Sequence, residues 1–167
     1  MDDPKAARPF MPGYGILGED EGAGLLAWSW ATQRLTSSHD YWLATVWPDG
    51  RPHVMPVWGV WDGEAVWFSS AGRSRKARNL AAEPRCTVTT DNPLEPVVVE
   101  GSAERVKDGD AIAVFAGAVN RKYEVAYPAD FYDPDVNGVF RVVPDAVFAL
   151  DSTDFTGTPT RWLLGSR

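Results

Sequence analysis

The chain has 167 residues, 44% of them apolar and 23% charged, with a net charge of −7 and a pI near 4.8. That length fits one domain with a sizeable core, and the acidic balance argues against binding nucleic acid, whose backbone is held by distributed Lys and Arg. No apolar run approaches the ~20 residues that span a bilayer, no signal core opens the chain, and Cys86 is alone, so a cytoplasmic protein without an intrachain disulfide is expected.

Residues 1–22 hold Pro4, Pro9, Pro12, Gly13, Gly15, Gly18 and Gly22 and read as an extended arm ahead of one domain over residues 23–167. Phe10, Met11 and Tyr14 could dock this arm on its own domain or on a partner subunit. Leu25, Trp28, Thr32 and Leu35 recur at helical spacing, which predicts a helix from Ala23 to Ser37. Tyr41–Trp47, Arg51–Trp61 and Glu64–Ser70 follow as strands, joined by Pro48-Asp49-Gly50 and Asp62-Gly63 turns into an antiparallel meander. In the second strand Pro52 and Pro56 lack an N–H, so it is expected to be interrupted, bulged or open along one side. An open strand can offer its main-chain groups to a ligand. Val54, Pro56, Trp58 and Val60 share one face, and Met55, Val57, Gly59 and Trp61 the other. Both are apolar, which predicts cover on both.

The stretch Ser69-Ser70-Ala71-Gly72-Arg73-Ser74-Arg75-Lys76-Ala77-Arg78-Asn79-Leu80 is the charge anomaly of the chain, with four cations in six residues. It leaves a strand through a small-residue turn and opens a helix, Ser74–Ala82, with Ser74 as N-cap. Unpaired N–H groups and the positive dipole end at such a start suit a phosphate. Ala77 and Leu80–Ala81 are expected to face the core, with Arg75, Lys76 and Asn79 together on the outer side. The bland alternative is a solvated face making weak surface ion pairs.

Strands are expected at Arg85–Asp91 and Val97–Val106, then a helix over Asp108–Glu124 with an Ile112, Phe115, Val119 stripe. A loop spans 125–137; Tyr123, Tyr127 and Tyr132 with its acidic residues could make a lid or simply an irregular surface. Gly138–Val143, continued past Pro144 by Ala146–Leu150, and Thr160–Leu164 complete the strands. The pattern is α+β, a barrel of about six to seven mainly antiparallel strands with a few helices; these signals do not set the strand order. Of the eight tryptophans, Trp28, Trp42 and Trp67 are expected in the core or at a subunit contact, and Trp58, Trp61 and Trp162 are candidates for a planar ligand. Two widely spaced histidines and one cysteine do not make a metal site. No Ser-His-Asp set or P-loop is present.

In order and spacing these segments resemble the split β-barrel flavin and deazaflavin oxidoreductases, the pyridoxamine 5′-phosphate oxidase-like group. The resemblance is carried by Trp42-Leu43-Ala44-Thr45, Pro48-Asp49-Gly50-Arg51-Pro52, Trp61-Asp62-Gly63, Phe68-Ser69, Ser74–Leu80 with Pro84-Arg85, and Val99-Glu100-Gly101. Phe155-Thr156-Gly157-Thr158-Pro159-Thr160-Arg161-Trp162 looks like the C-terminal signature of its actinobacterial, F420-using members. The resemblance implies a homodimer with the cofactor in a groove between subunits. Ser69, Ser70, Arg75, Lys76 and Asn79 would hold the phosphate, and His53, Val54, Met55, Pro56, Val57 and Trp58 would flank the ring. It favours coenzyme F420, with FMN as the alternative, and hydride transfer to or from a small organic substrate; a cofactor carrier without turnover is the rival. His53 and Trp58 stand where the vitamin B6 oxidases carry basic residues, which removes a partner for a substrate phosphate.

Overall fold

The computed structural model describes residues 3–164. In chain order its elements are β1 (Ala6–Ala7), α1 (Trp28–Ser37), β2 (Asp40–Val46), β3 (Pro52–Trp61), β4 (Val66–Ala71), α2 (Arg75–Ala82), β5 (Arg85–Thr90), β6 (Val97–Val106), α3 (Gly109–Tyr123), β7 (Asn137–Ala149) and β8 (Thr160–Leu163), with short 3-10 turns at Ala129–Tyr132 and Ser152–Asp154. The strands run β1-β8-β7-β4-β3-β2-β5-β6, and β6 pairs back onto β7. Six antiparallel strands therefore close an α+β split barrel, the expected fold class, and β8 and β1 extend the sheet outside the ring. No helix among the described residues is long and apolar enough to cross a membrane.

β7 is the organising strand. It pairs β4 over Asn137–Val142, β8 over Ala146–Ala149 and β6 along most of its length. It passes Pro144 without breaking because the β6 register shifts between Glu100 and Gly101, opposite that proline. The bulge takes up the missing N–H.

Leu35, Leu43, Val66, Phe68, Val88, Val97, Val99, Val142 and Val147 fill the barrel, all fully buried. A second cluster packs Ile112, Phe115 and Val119 of α3 on Val139 and Tyr132, so the predicted stripe is the buried face. α1 starts five residues later than the spacing suggests. The amides ahead of it are claimed by the C-terminal segment: Ala23 N–H donates to Asp154 Oδ2 (2.7 Å) and Leu26 N–H to Thr160 Oγ1 (2.9 Å). The arm docks on its own chain through the β1–β8 pair and through Arg8, which donates to the Pro159 and Gly18 carbonyls. The Phe155–Trp162 signature is thus the arm's anchor.

Two of the three tryptophans proposed for a planar ligand lie elsewhere. Trp162 is fully buried and meets Trp28 edge-on at 5.4 Å. Trp61 meets the same Trp28 at 6.5 Å, eight residues along β3 from His53. Periodicity placed them on apolar faces without saying which end of the barrel those faces lined.

Candidate functional site

β3 is the strand that positions the site. Its ladder with β2 runs unbroken from Val46 opposite Pro52 to Asp40 opposite Trp58, whereas β4 pairs it only at Gly59–Trp61. Beyond Gly59 and Phe68 the two strands part; β4 continues to Ala71 against β7. β3 is therefore open along one side over Pro52–Trp58, neither bulged nor broken. Alternation decides which groups face the opening. Trp47 N–H donates to the Arg51 carbonyl at 2.8 Å, so the hydrogen-bonding residues of β3 toward β2 are His53, Met55 and Val57. Pro52, Val54, Pro56 and Trp58 turn their main chain to the opening. Val54 presents an N–H and a carbonyl there and Trp58 an N–H, the two prolines a carbonyl alone, and neither proline costs a rung.

The outer face of this half-strand differs from expectation. Val54, Pro56 and Trp58 are exposed, at 52% for Val54 and 40% for Trp58. Opposite them Trp42 and Val46 of β2 are also exposed. Inside, Met55 is exposed at the mouth, Val57 is buried, and the His53 ring lies 3.4 Å from Thr45 Oγ1.

α2 closes the wide end of the opening. Ser74 caps it, its Oγ accepting from Ala77 N–H at 3.2 Å and lying 2.8 Å from Ser70 Oγ. The Arg75 and Lys76 amides of the first turn have no acceptor inside the helix. Among the described residues no ion pair includes Arg73, Arg75, Lys76 or Arg78. Partial burial without a counter-ion holds the Lys76 ammonium below the ordinary lysine range. The Arg75 guanidinium carbon lies over the Trp47 ring, 3.5 Å from its centroid, with that of Arg51 at 4.3 Å from the same ring. Stacking fixes Arg75 beside the β2–β3 hairpin.

Asn79 departs from its predicted place on the outer side. It is fully buried, and its Nδ2 donates to Thr45 Oγ1 at 3.0 Å, while its Oδ1 has no partner. Lys76, Asn79 and Leu80 are close on the helix, but the contact with Thr45 turns the Asn79 arc inward. Asn79 thus ties α2 to β2 beneath His53. Ser69 and Ser70 alternate on β4: Ser70 is buried toward α2 and Ser69 takes the opposite face. Of the tyrosines read as a lid, Tyr123 and Tyr132 are buried in the α3 cluster, and Tyr127 stacks on Phe131. Lys122, which the residue pattern did not single out, and Tyr123, considered there only for a lid, reach β3 from the end of α3 and bond Gly59.

The open edge of β3 therefore has unlike ends. From Pro52 to Trp58 it runs about 20 Å at ~3.3 Å per residue, with cations at the hairpin end and an indole where β3 and β4 part. A cavity of about 690 Å³ lies apart from it, lined by Trp28, Trp61, Arg141 and Leu163 among others.

The family model described as pyridoxamine 5′-phosphate oxidase matches residues 31–151. Among solved structures, an F420 reductase is 30% identical, with 69% of this chain and 93% of that chain covered and a TM-score of 0.58. A conserved hypothetical protein of Mycobacterium tuberculosis is 24% identical, with 84% and 89% covered and a TM-score of 0.68. General stress protein 26 of Bacillus anthracis is 18% identical, with 73% and 92% covered and a TM-score of 0.60. No curated protein sequence matches the chain.

Proposed function

The chain belongs to the pyridoxamine 5′-phosphate oxidase family, and from that premise we propose that it is an oxidoreductase that holds a deazaflavin of the F420 type, with FMN as the alternative, in the groove between β3 and α2. One observation carries the reading: an unpaired strand edge runs into a cation cluster that lacks counter-ions. The residues suit such a group. Arg75 and Lys76, with the free first-turn amides, would receive its phosphate. The main chain of Val54 and Trp58 would meet the polar edge of its ring, and Met55 would pack beside it. Asn79 and Thr45 hold α2 and β2 at a fixed separation, so the two ends are set before anything binds. The bound ring supplies hydride transfer to or from a small organic substrate; the protein's part is to orient, to neutralise charge and to exclude water. The F420 reductase among the similar structures supports F420 over FMN.

The test is a titration of purified protein with oxidised and reduced F420 and with FMN. Micromolar binding of F420 is expected, and failure of both cofactors at micromolar levels would contradict the reading. Turnover with a panel of enones and quinones then separates an enzyme from a carrier, which would bind without reducing any of them.

We also propose a homodimer through the outer face of β2 and β3. Trp42, Val46, Val54 and Pro56 form one exposed apolar surface across the two strands, of the kind that marks an interaction site. Light scattering should give twice the 18.3 kDa chain mass, and Val54→Asp should give the single-chain mass at micromolar concentration. A wild-type monomer at the same concentration would rule this out.

A further inference from the structure

Beyond the opening, at the end of β3 away from the cation cluster, the tryptophans that the groove does not use come together. Trp58 belongs to the opening and stacks on Tyr123, with ring centroids 4.2 Å apart. Trp28 and Trp61 instead form a corner, with centroids 6.5 Å apart and planes 76° from parallel, and both are partly exposed. The corner is held from behind. Trp162, fully buried, meets Trp28 edge-on at 5.4 Å. Asp62 pins the hairpin turn after Trp61: its Oδ1 accepts from the Glu64 and Ala65 amides at 2.8 Å, and its Oδ2 accepts from Trp67 Nε1 at 2.6 Å. The two indoles are walls of the cavity of about 690 Å³, and Val143, Pro144, Leu163 and Leu164 continue its apolar lining. That volume suits a small organic molecule.

The cavity is negatively charged. Asp3, Glu64 and Asp145 line it, and among the described residues none of the three forms an ion pair. Arg141 is the one cation among the described lining residues, and its Nε lies 3.0 Å from Glu104 Oε2, so its charge is already matched. Two near-perpendicular indole faces beside unmatched carboxylates are the recognition chemistry of an ammonium group. The ring quadrupoles and the carboxylates both attract a cation, and neither favours an anion. The net charge of −7 adds a field of the same sign. The chemistry is opposite to that of the groove, where unpaired cations stand beside a strand edge.

We propose that this cavity is a second ligand site, separate from the groove, which takes an organic ammonium ion with an apolar body: an alkyl or benzyl amine or its quaternary form. The ammonium would sit in the corner of Trp28 and Trp61 with its charge toward Glu64 and Asp145, and its apolar body would lie along Val143 and Leu163. The site stands independently of the cofactor reading, because none of its residues lies on the open edge of β3 or on α2.

The probe is benzyltrimethylammonium, titrated into the full chain and followed by the indole N–H signals in a proton–nitrogen NMR spectrum. The Trp28 and Trp61 signals, assigned with Trp28→Phe and Trp61→Phe, should shift and saturate, while those of Trp47 and Trp58 stay in place. Glu64 and Asp145 are exposed, so Glu64→Gln with Asp145→Asn leaves the core untouched; this pair should weaken binding about tenfold. Trp61→Leu should weaken it at least as much, and Trp61→Phe, which keeps a ring face, should recover part of the loss. Benzyl alcohol, which has the ring without the charge, should bind at least tenfold more weakly, and benzenesulfonate should move neither signal. Saturating F420 or FMN should leave the ammonium affinity unchanged. No shift at Trp28 and Trp61, equal affinity for benzyl alcohol, or unchanged affinity in the Glu64→Gln and Asp145→Asn pair would each overturn the proposal. So would displacement of the ammonium by either cofactor, which would put the probe in the groove.

Discussion

Lys76→Ala should raise the dissociation constant of the bound cofactor ten- to a hundredfold, with the fold unchanged. A charge-assisted hydrogen bond to a phosphate contributes about 1.5–3 kcal/mol, and each 1.4 kcal/mol is a factor of ten. The effect should sit toward the lower end for Arg75→Ala, because Trp47 already occupies one face of that guanidinium. The sign with pH follows from desolvation. Lys76 starts below the ordinary lysine range, and a bound phosphate would raise it. Its contribution to affinity is therefore complete below the free-protein value and is lost as pH climbs from that value toward the bound one. Wild type should lose affinity on the alkaline side, and Lys76→Ala should lack this limb. Added salt should weaken wild-type binding more than that of the variant. Isothermal titration at several pH values checks all three, and an unchanged constant in Lys76→Ala would remove the cluster from the site.

Gly101→Ala should be the most damaging single-methyl change in the barrel. The added Cβ would lie 2.1 Å from the Val143 carbonyl oxygen and 3.0 Å from Pro144 Cα. Both are backbone, so no rotamer change relieves the contact. Overpacking of this kind costs about 1–3 kcal/mol, occasionally more, and the bulge that carries β7 past Pro144 is where the strain would fall. For a chain of this size each kcal/mol lowers the melting temperature by about 2–4 °C, so thermal unfolding should shift down by roughly 2–12 °C. A shift below 2 °C would mean that the strands separate there at little cost. Gly59→Ala meets a carbonyl at 2.7 Å and an aromatic edge at 3.2 Å, and should be milder.

Most of the fold was legible because its punctuation is local. Pro48-Asp49-Gly50, Asp62-Gly63 and Glu83-Pro84 end elements wherever they occur, and the strand spans Arg85–Thr90 and Val97–Val106 follow from them within a residue. Pro52 and Pro56 narrowed the second strand to interrupted, bulged or open along one side, since a missing N–H is tolerable only where no partner needs it, and the ladder selects the open edge. What the chain could not display locally was contact between distant segments. The start of α1 is set by Asp154 and Thr160, more than 130 residues away. Asn79 turns inward because Thr45 waits there. Trp61 and Trp162 share apolar periodicity with Trp58, yet only Trp58 lies on the opening, and Tyr123 becomes its support through the packing of α3 on β3.

We propose that the open edge of β3 and the first turn of α2 form one binding groove. Amide hydrogen exchange, measured with and without saturating F420 or FMN, tests it residue by residue. Slowed exchange should appear at Val54, Trp58, Arg75 and Lys76, where the edge amides and the free helix amides would gain acceptors. Unchanged exchange there, or protection confined to the cavity at Trp28, Trp61 and Leu163, would contradict the account.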